Sequence, residues 1–161
     1  RGDRGPRVVS RGPHAKEEVR RSVQPAWRVD LEYNAVSADR LVQQAVALHQ
    51  QGRLPEALRL YQQALQSDPQ HAQALYLMGT ALLQSGQAVQ ALPLLDQAVR
   101  VRPGFADAHA ALGAALRRSG RSADALASFE NAVRLNRKHI EAQVGFATAL
   151  YELGRLEDAL R

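Results

Sequence analysis

Any chemistry done by this chain would have to come from its five histidines, His14, His49, His71, His109 and His139, because it has no cysteine to act as nucleophile or soft metal ligand. Their spacing offers none. No two stand in HExxH or HxxxH, separations that place paired ligands on one helical face. His71 and His139 are too far apart to share an ion and read as solvated loop residues, while His109 falls at a core edge. There is no GxxxxGKS/T loop to cradle phosphate, no GxSxG turn to present a serine and no Rossmann glycine cluster. Arg1-Gly2-Asp3 is a chance tripeptide at a terminus. The chain as it stands is therefore expected to be no enzyme and to hold no catalytic, cofactor-binding or metal-ligating residue. What remains is binding by surface.

That surface is set by a repeat. Gly52, Gly86, Gly120 and Gly154 follow one another at 34 residues, and the same step links Leu48, Leu82, Leu116 and Leu150. Ala57, Ala91, Ala125 and Ala159 keep it too, as do Ala64, Ala98 and Ala132. Several columns in phase at this period mean a helix–turn–helix unit stacked on copies of itself. In the second unit Leu75, Met78, Gly79 and Leu82 fall on one face of a first helix; after Gly86, Ala91, Leu95 and Ala98 mark a second. Glycine tolerates the left-handed backbone that closes a helix, so the glycine column predicts four identical turns. Pro55 suits the start of a second helix, Pro93 lies a turn deeper, and Pro69 and Pro103 follow helix ends.

Composition agrees. Hydrophobic residues make up 45% of the chain but aromatics only 5%, with Ala and Leu abundant, the palette of close-packed helices. The longest apolar run, Ala110 to Leu116, is far short of the ~20 residues that span a membrane. Residues 1–37 hold eight basic and five acidic residues of a chain whose net charge is +5, so the repeats are nearly neutral. Glycines and prolines interrupt that segment, which is expected to be a basic, disordered linker with a short helix from Ala15 to Val23 ended by Pro25. Only Lys16 and Lys138 of the 21 basic residues are lysine, a bias read as bacterial base composition. Starting at Arg1 and stopping at Arg161, the chain is expected to be a fragment of a longer protein, placed in the cytoplasm.

The columns resemble the tetratricopeptide repeat. The first unit supplies Leu41, Ala45, Leu48, Gly52, Ala57, Tyr61, Ala64 and Pro69, and the third Leu112, Gly113, Leu116, Gly120, Ala125, Phe129 and Ala132. The resemblance covers residues 38–161 as units 38–71, 72–105, 106–139 and an incomplete 140–161. It implies an all-α fold, a right-handed α–α superhelix or solenoid. Gln44, Leu95, His109 and Arg137 depart from the pattern without breaking it.

In that family the first helices line a concave groove for extended or helical peptides of partner proteins. Carried over, the groove positions are Val42, Val46 and His49; Tyr76, Thr80 and Leu83; Ala110, Ala114, Arg117 and Arg118; and Val144, Thr148 and Tyr151. Asp39, Gln50, Gln73, Gln84, Asp107, Glu141 and Glu152 flank them. Tyr76, Leu83 and Tyr151 are the expected contacts, and the adjacent Arg117 and Arg118 are expected to receive an acidic group or C-terminus. The chaperone-binding subset grips a carboxylate with a Lys/Asn/Lys/Arg set. Val42, Val46, Leu77 and Ala111 stand there instead, which disfavours that role. The near-neutral repeats make nucleic acid an unexpected partner. Two functions follow from the resemblance. One is an interaction scaffold without cofactor. The alternative is a substrate-presenting arm of a larger enzyme, similar to O-linked GlcNAc transferases or certain sulfotransferases, although Gln43, Leu77, Ala111 and Gly145 replace the asparagine column of the former.

Overall fold

The computed structural model describes residues 26–155 and Asp158, with side chains from Ser37 onward. Seven helices occupy the described residues: α1 Ala26–Gln50, α2 Leu54–Ser67, α3 Ala72–Gln84, α4 Ala88–Val101, α5 Ala106–Arg118, α6 Ser122–Leu135 and α7 Ile140–Glu152. From α2 onward each helix begins and ends 34 residues after its counterpart. Contacts divide the chain into two compact units, Arg1–Asn34 and Ala35–Arg161, and the repeats lie in the second. The helix opening the first repeat begins at Ala26, so residues 26–37 are helical where the sequence predicts a linker. Proline at 25 precedes that helix in sequence, and proline begins helices as readily as it stops them, because the first N–H groups are unpaired anyway. The helix expected over Ala15–Val23 lies outside the described residues.

The glycine and leucine columns turn out to be one device. Gly120 has φ +77°, and its N–H reaches Arg117 O at 3.0 Å while Arg121 N–H reaches Leu116 O at 2.9 Å. This is the paired closure that satisfies the last carbonyls of a helix. Arg53, Gln87 and Arg155 N–H donate in the same way to Leu48, Leu82 and Leu150 O. The leucine four residues before each glycine is thus fixed to the turn by its own carbonyl.

Successive helices pack as antiparallel hairpins, and each second helix packs on the first helix of the next repeat. The alanine columns make this approach close: Ala57, Ala91, Ala125, Ala64, Ala98 and Ala132 are fully buried. Tyr61, Leu95 and Phe129 wedge alongside them from the second helices. Phe129 needs two glycines. A Cβ on Gly113 of α5 would come within 2.8 Å of its ring, and one on Gly145 of α7 within 2.4 Å. Among the described residues no helix is long and apolar enough to cross a membrane.

Candidate binding groove

First helices of neighbouring repeats touch: α3 meets α5, and α5 meets α7. Together they line a half-open cavity of about 640 Å³. Its depth comes from small residues, since Ala110, Ala111 and Ala114 of α5 and Gly145 of α7 line it and let the Phe129 ring of α6 show at its base. Tyr76 and Thr80 wall it on α3, Ile140, Val144 and Thr148 on α7. Ile140 and Val144 are 72% and 60% exposed, an unusual state for β-branched apolar side chains side by side on one helix.

Both rims of the concave face are stapled by side chains. On the rim formed by the helix starts, His71 Nδ1 accepts the Ala74 N–H at 3.1 Å and caps α3, while its Nε2 lies 2.9 Å from Asp39 Oδ1 of the preceding repeat. His139 repeats the arrangement two units later, capping α7 through Ala142 N–H at 3.3 Å and meeting Asp107 Oδ1 at 3.1 Å. An accepting Nδ1 leaves the ring proton on Nε2, directed at the carboxylate, so a neutral imidazole satisfies both partners. In the unit between, Phe105 takes the capping place without a side-chain cap. Its ring packs on Tyr76 at 4.9 Å and carries the Arg102 guanidinium at 3.5 Å. His71 and His139 are therefore nearly buried inter-repeat bridges, with 13% and 11% of their side chains exposed, and not the solvated loop residues that the sequence predicts. The signal was present as an Asp-to-His separation of 32 residues occurring twice, but only a three-dimensional cap gives that interval meaning.

The opposite rim uses an interval of 35. His49 Nε2 meets Gln84 Oε1 at 2.7 Å, Arg118 Nη1 donates to Leu83 O at 2.9 Å, and Arg117 Nη1 donates to Glu152 Oε1 at 2.8 Å. Glu152 also accepts from Ser122 Oγ at 2.6 Å; that hydrogen bond and the Arg117 guanidinium hold its carboxyl below the usual range. His109, at the other rim, places Nε2 2.9 Å from Pro103 O.

Of the residues predicted to form the groove, the cavity brings together Tyr76, Thr80, Leu83, Ala110, Ala114, Arg117, Arg118, Val144 and Thr148. Leu83 and Ala110 serve as floor, only 7% and 6% exposed. Val42, Val46, His49 and Tyr151 do not line it. Val42 is buried in the first hydrophobic cluster with Ala38 and Ala45, and Val46 packs against that cluster. His49 is occupied by Gln84 and sits 3.4 Å from the Tyr61 hydroxyl. Tyr151 is exposed on α7. The arginine pair is already engaged: Arg117 by Glu152, Arg118 by a backbone carbonyl.

The cavity mouth at the helix starts is acidic. Asp107 and Glu141 both line it beside Tyr76. Burial pushes the Tyr76 hydroxyl up, and the negative charges of Asp107 and Glu141 push it further. Among the described residues no group of three His, Asp or Glu side chains could hold a metal ion, so the site offers hydrogen bonds, charge and apolar surface.

A family model described as tetratricopeptide repeat matches residues 48–116 and 116–161. No curated protein matches the sequence. Among solved structures, a mutant O-GlcNAc transferase from Thermobaculum terrenum is similar with a TM-score of 0.68 and 29% identity over 73% of this chain; the chain spans 22% of that protein's length. MamA from Desulfovibrio magneticus RS-1 gives 0.71 at 23% identity, over 91% of this chain and 86% of that one. The first repeat domain of Spaghetti (RPAP3), solved with the HSP90 peptide SRMEEVD, gives 0.72 at 19% identity, over 74% and 95%. The last two likenesses are of fold alone.

Proposed function

The chain belongs to the tetratricopeptide repeat family, and on that footing we propose that it is a protein–protein interaction module whose concave groove takes up peptide segments of partner proteins. The observation that carries this reading is the cavity shared by the first helices of three successive repeats. Its wall exposes Ile140 and Val144, and contiguous apolar surface in a concavity is what a ligand covers. The rim bridges hold α3, α5 and α7 in one arrangement, so a peptide would meet a preformed surface. The peptide bound by RPAP3 supports the class of ligand, not its sequence.

The test is a random peptide display library panned on the protein, with the enriched peptides titrated against three forms. Wild type and a double reversal of Arg59 and Arg134, both exposed on second helices, should bind alike. Val144→Trp, which obstructs the cavity wall with a bulky neutral side chain, should weaken binding at least about tenfold. Equal affinity of all three forms removes the groove as the working surface.

A second reading, the substrate-presenting arm of a larger glycosyltransferase, is favoured by the likeness to the Thermobaculum terrenum enzyme. The codons after residue 161 decide it: a nucleotide-sugar domain supports the arm, and its absence leaves the module alone.

A further inference from the structure

Charge in the cavity is unevenly cancelled. Asp107 is bonded to His139, but an imidazole whose Nδ1 accepts a backbone N–H is neutral, so the carboxylate keeps its charge. Glu141, exposed in the first turn of α7, makes no ion pair among the described residues. Both flank the Tyr76 hydroxyl, whose pKa responds to the two of them. Arg102 does not line the cavity, being held over Phe105 and on Gln73. At the far end Arg117 is neutralised by Glu152, leaving Arg118. Eleven residues of helix separate Asp107 from Arg118, about 16 Å at 1.5 Å per residue, which exceeds the ~8–10 Å over which salt leaves charges in communication. The arginine pair is therefore out of reach of the acidic mouth, which lies next to the apolar wall of Ile140 and Val144; Arg102, over the Phe105 ring that packs on Tyr76, is a cation near it but outside the cavity lining.

Resting on the groove reading above, we propose that this cavity selects a basic, apolar peptide segment: a Lys or Arg side chain received by Asp107, Glu141 and the Tyr76 hydroxyl, with neighbouring small apolar side chains laid along Ile140 and Val144 over the alanine floor. This is the reverse of the acidic ligand that the arginine pair suggests from sequence. A carboxylate there would compete with Glu152 at Arg117 and with the Leu83 carbonyl at Arg118, whereas a cation at the other end meets Asp107 and Glu141, neither of which is ion-paired to an arginine or lysine among the described residues.

The probes are the peptides enriched by panning on wild type, resynthesised with each Lys or Arg changed to Glu. The protein variants are Glu141→Lys and Asp107→Asn, the second of which keeps an acceptor for His139 and so the stack. Enriched peptides should carry a basic residue beside small apolar ones, and each variant should weaken them about tenfold, more at low salt. The Lys-to-Glu peptide should lose wild type and recover on the Glu141→Lys variant. If enriched peptides are blocked by Val144→Trp yet lack a basic residue, or ignore both acidic variants, the charge assignment falls and the groove stands. If no peptide is enriched, or none responds to Val144→Trp, both fall together.

Discussion

His139 Nε2 lies 3.1 Å from Asp107 Oδ1 while its Nδ1 caps α7, so one side chain closes a helix and ties it to the first turn of the preceding repeat's first helix. His71 likewise caps α3 and meets Asp39, which here lies midway along the longer α1. Replacing His139 by Ala removes cap and bridge together and should cost about 0.5–2 kcal/mol, the range of a lost N-cap. His139→Asn restores a capping oxygen but cannot reach as far, so it should recover part of that loss. Urea melts of the two variants check this; indistinguishable midpoints, both at the wild-type value, would show that the capping contact is energetically empty.

Gly145→Ala pits two effects of opposite sign. Alanine favours a helix over glycine by about 1 kcal/mol, but its Cβ would sit 2.4 Å from the Phe129 ring. Overpacking of a fixed aromatic costs about 1–3 kcal/mol, so net destabilisation is expected. Trimming the ring in the same background, Gly145→Ala with Phe129→Leu, should cost less than the sum of the two single changes. Additive thermal shifts across this cycle would mean that the two positions do not meet.

Gly120→Val should lower stability by more than about 1 kcal/mol, because φ +77° is a left-handed conformation that a β-branched residue resists although open space surrounds it. Arg137→Pro should raise it by about 0.4–1 kcal/mol. Position 137 follows an extended Asn136 at φ −141°, matches Pro69 and Pro103 in register, and its N–H makes no hydrogen bond among the described residues. Chemical denaturation with a shared baseline ranks the two.

Stability should fall at both ends of the pH scale for separate reasons. Burial pushes the Tyr61 hydroxyl up to about 12 from 10.0, so the folded state binds its proton more tightly. That contribution is complete below pH 10 and is lost between about 10 and 12, where Tyr61→Phe should flatten the decline. Glu152 is shifted the other way, below its ordinary 4.5. Its contribution is complete above that value and disappears as pH falls through the lowered one. Since 35% of the side chain is exposed, the effect should be small and weakened by salt. Ser122→Ala, which removes the larger of the two causes, should shallow the acid slope of stability between pH 5 and 3; an unaltered slope would place the acid sensitivity elsewhere.

The architecture was legible because it is periodic. A left-handed turn tolerates glycine and little else, and close helix contacts tolerate alanine and glycine, so Gly120, Ala125 and Ala132 announce their roles by type and interval alone. The line of first helices was equally readable, since Tyr76, Ala110, Val144 and Thr80, Ala114, Thr148 keep the same step along it. Periodicity could not say which of those positions would be open. Val42 and Val144 share a column, yet one is buried and the other 60% exposed, because exposure depends on the neighbours each helix meets and not on the repeat itself.

Nor could sequence say which charges were already spoken for. Arg117 and Arg118 are adjacent and read as a free basic pair, but the superhelix brings Glu152 and the Leu83 carbonyl, each 35 residues away, into reach of them. His71 and His139 read as loop residues because an N-cap made by an imidazole depends on backbone direction at the helix start. The local rules of turn and close packing are written residue by residue, and the sequence determined them. The free charge of the groove is a sum over side chains from separate repeats, which only tertiary structure brings together.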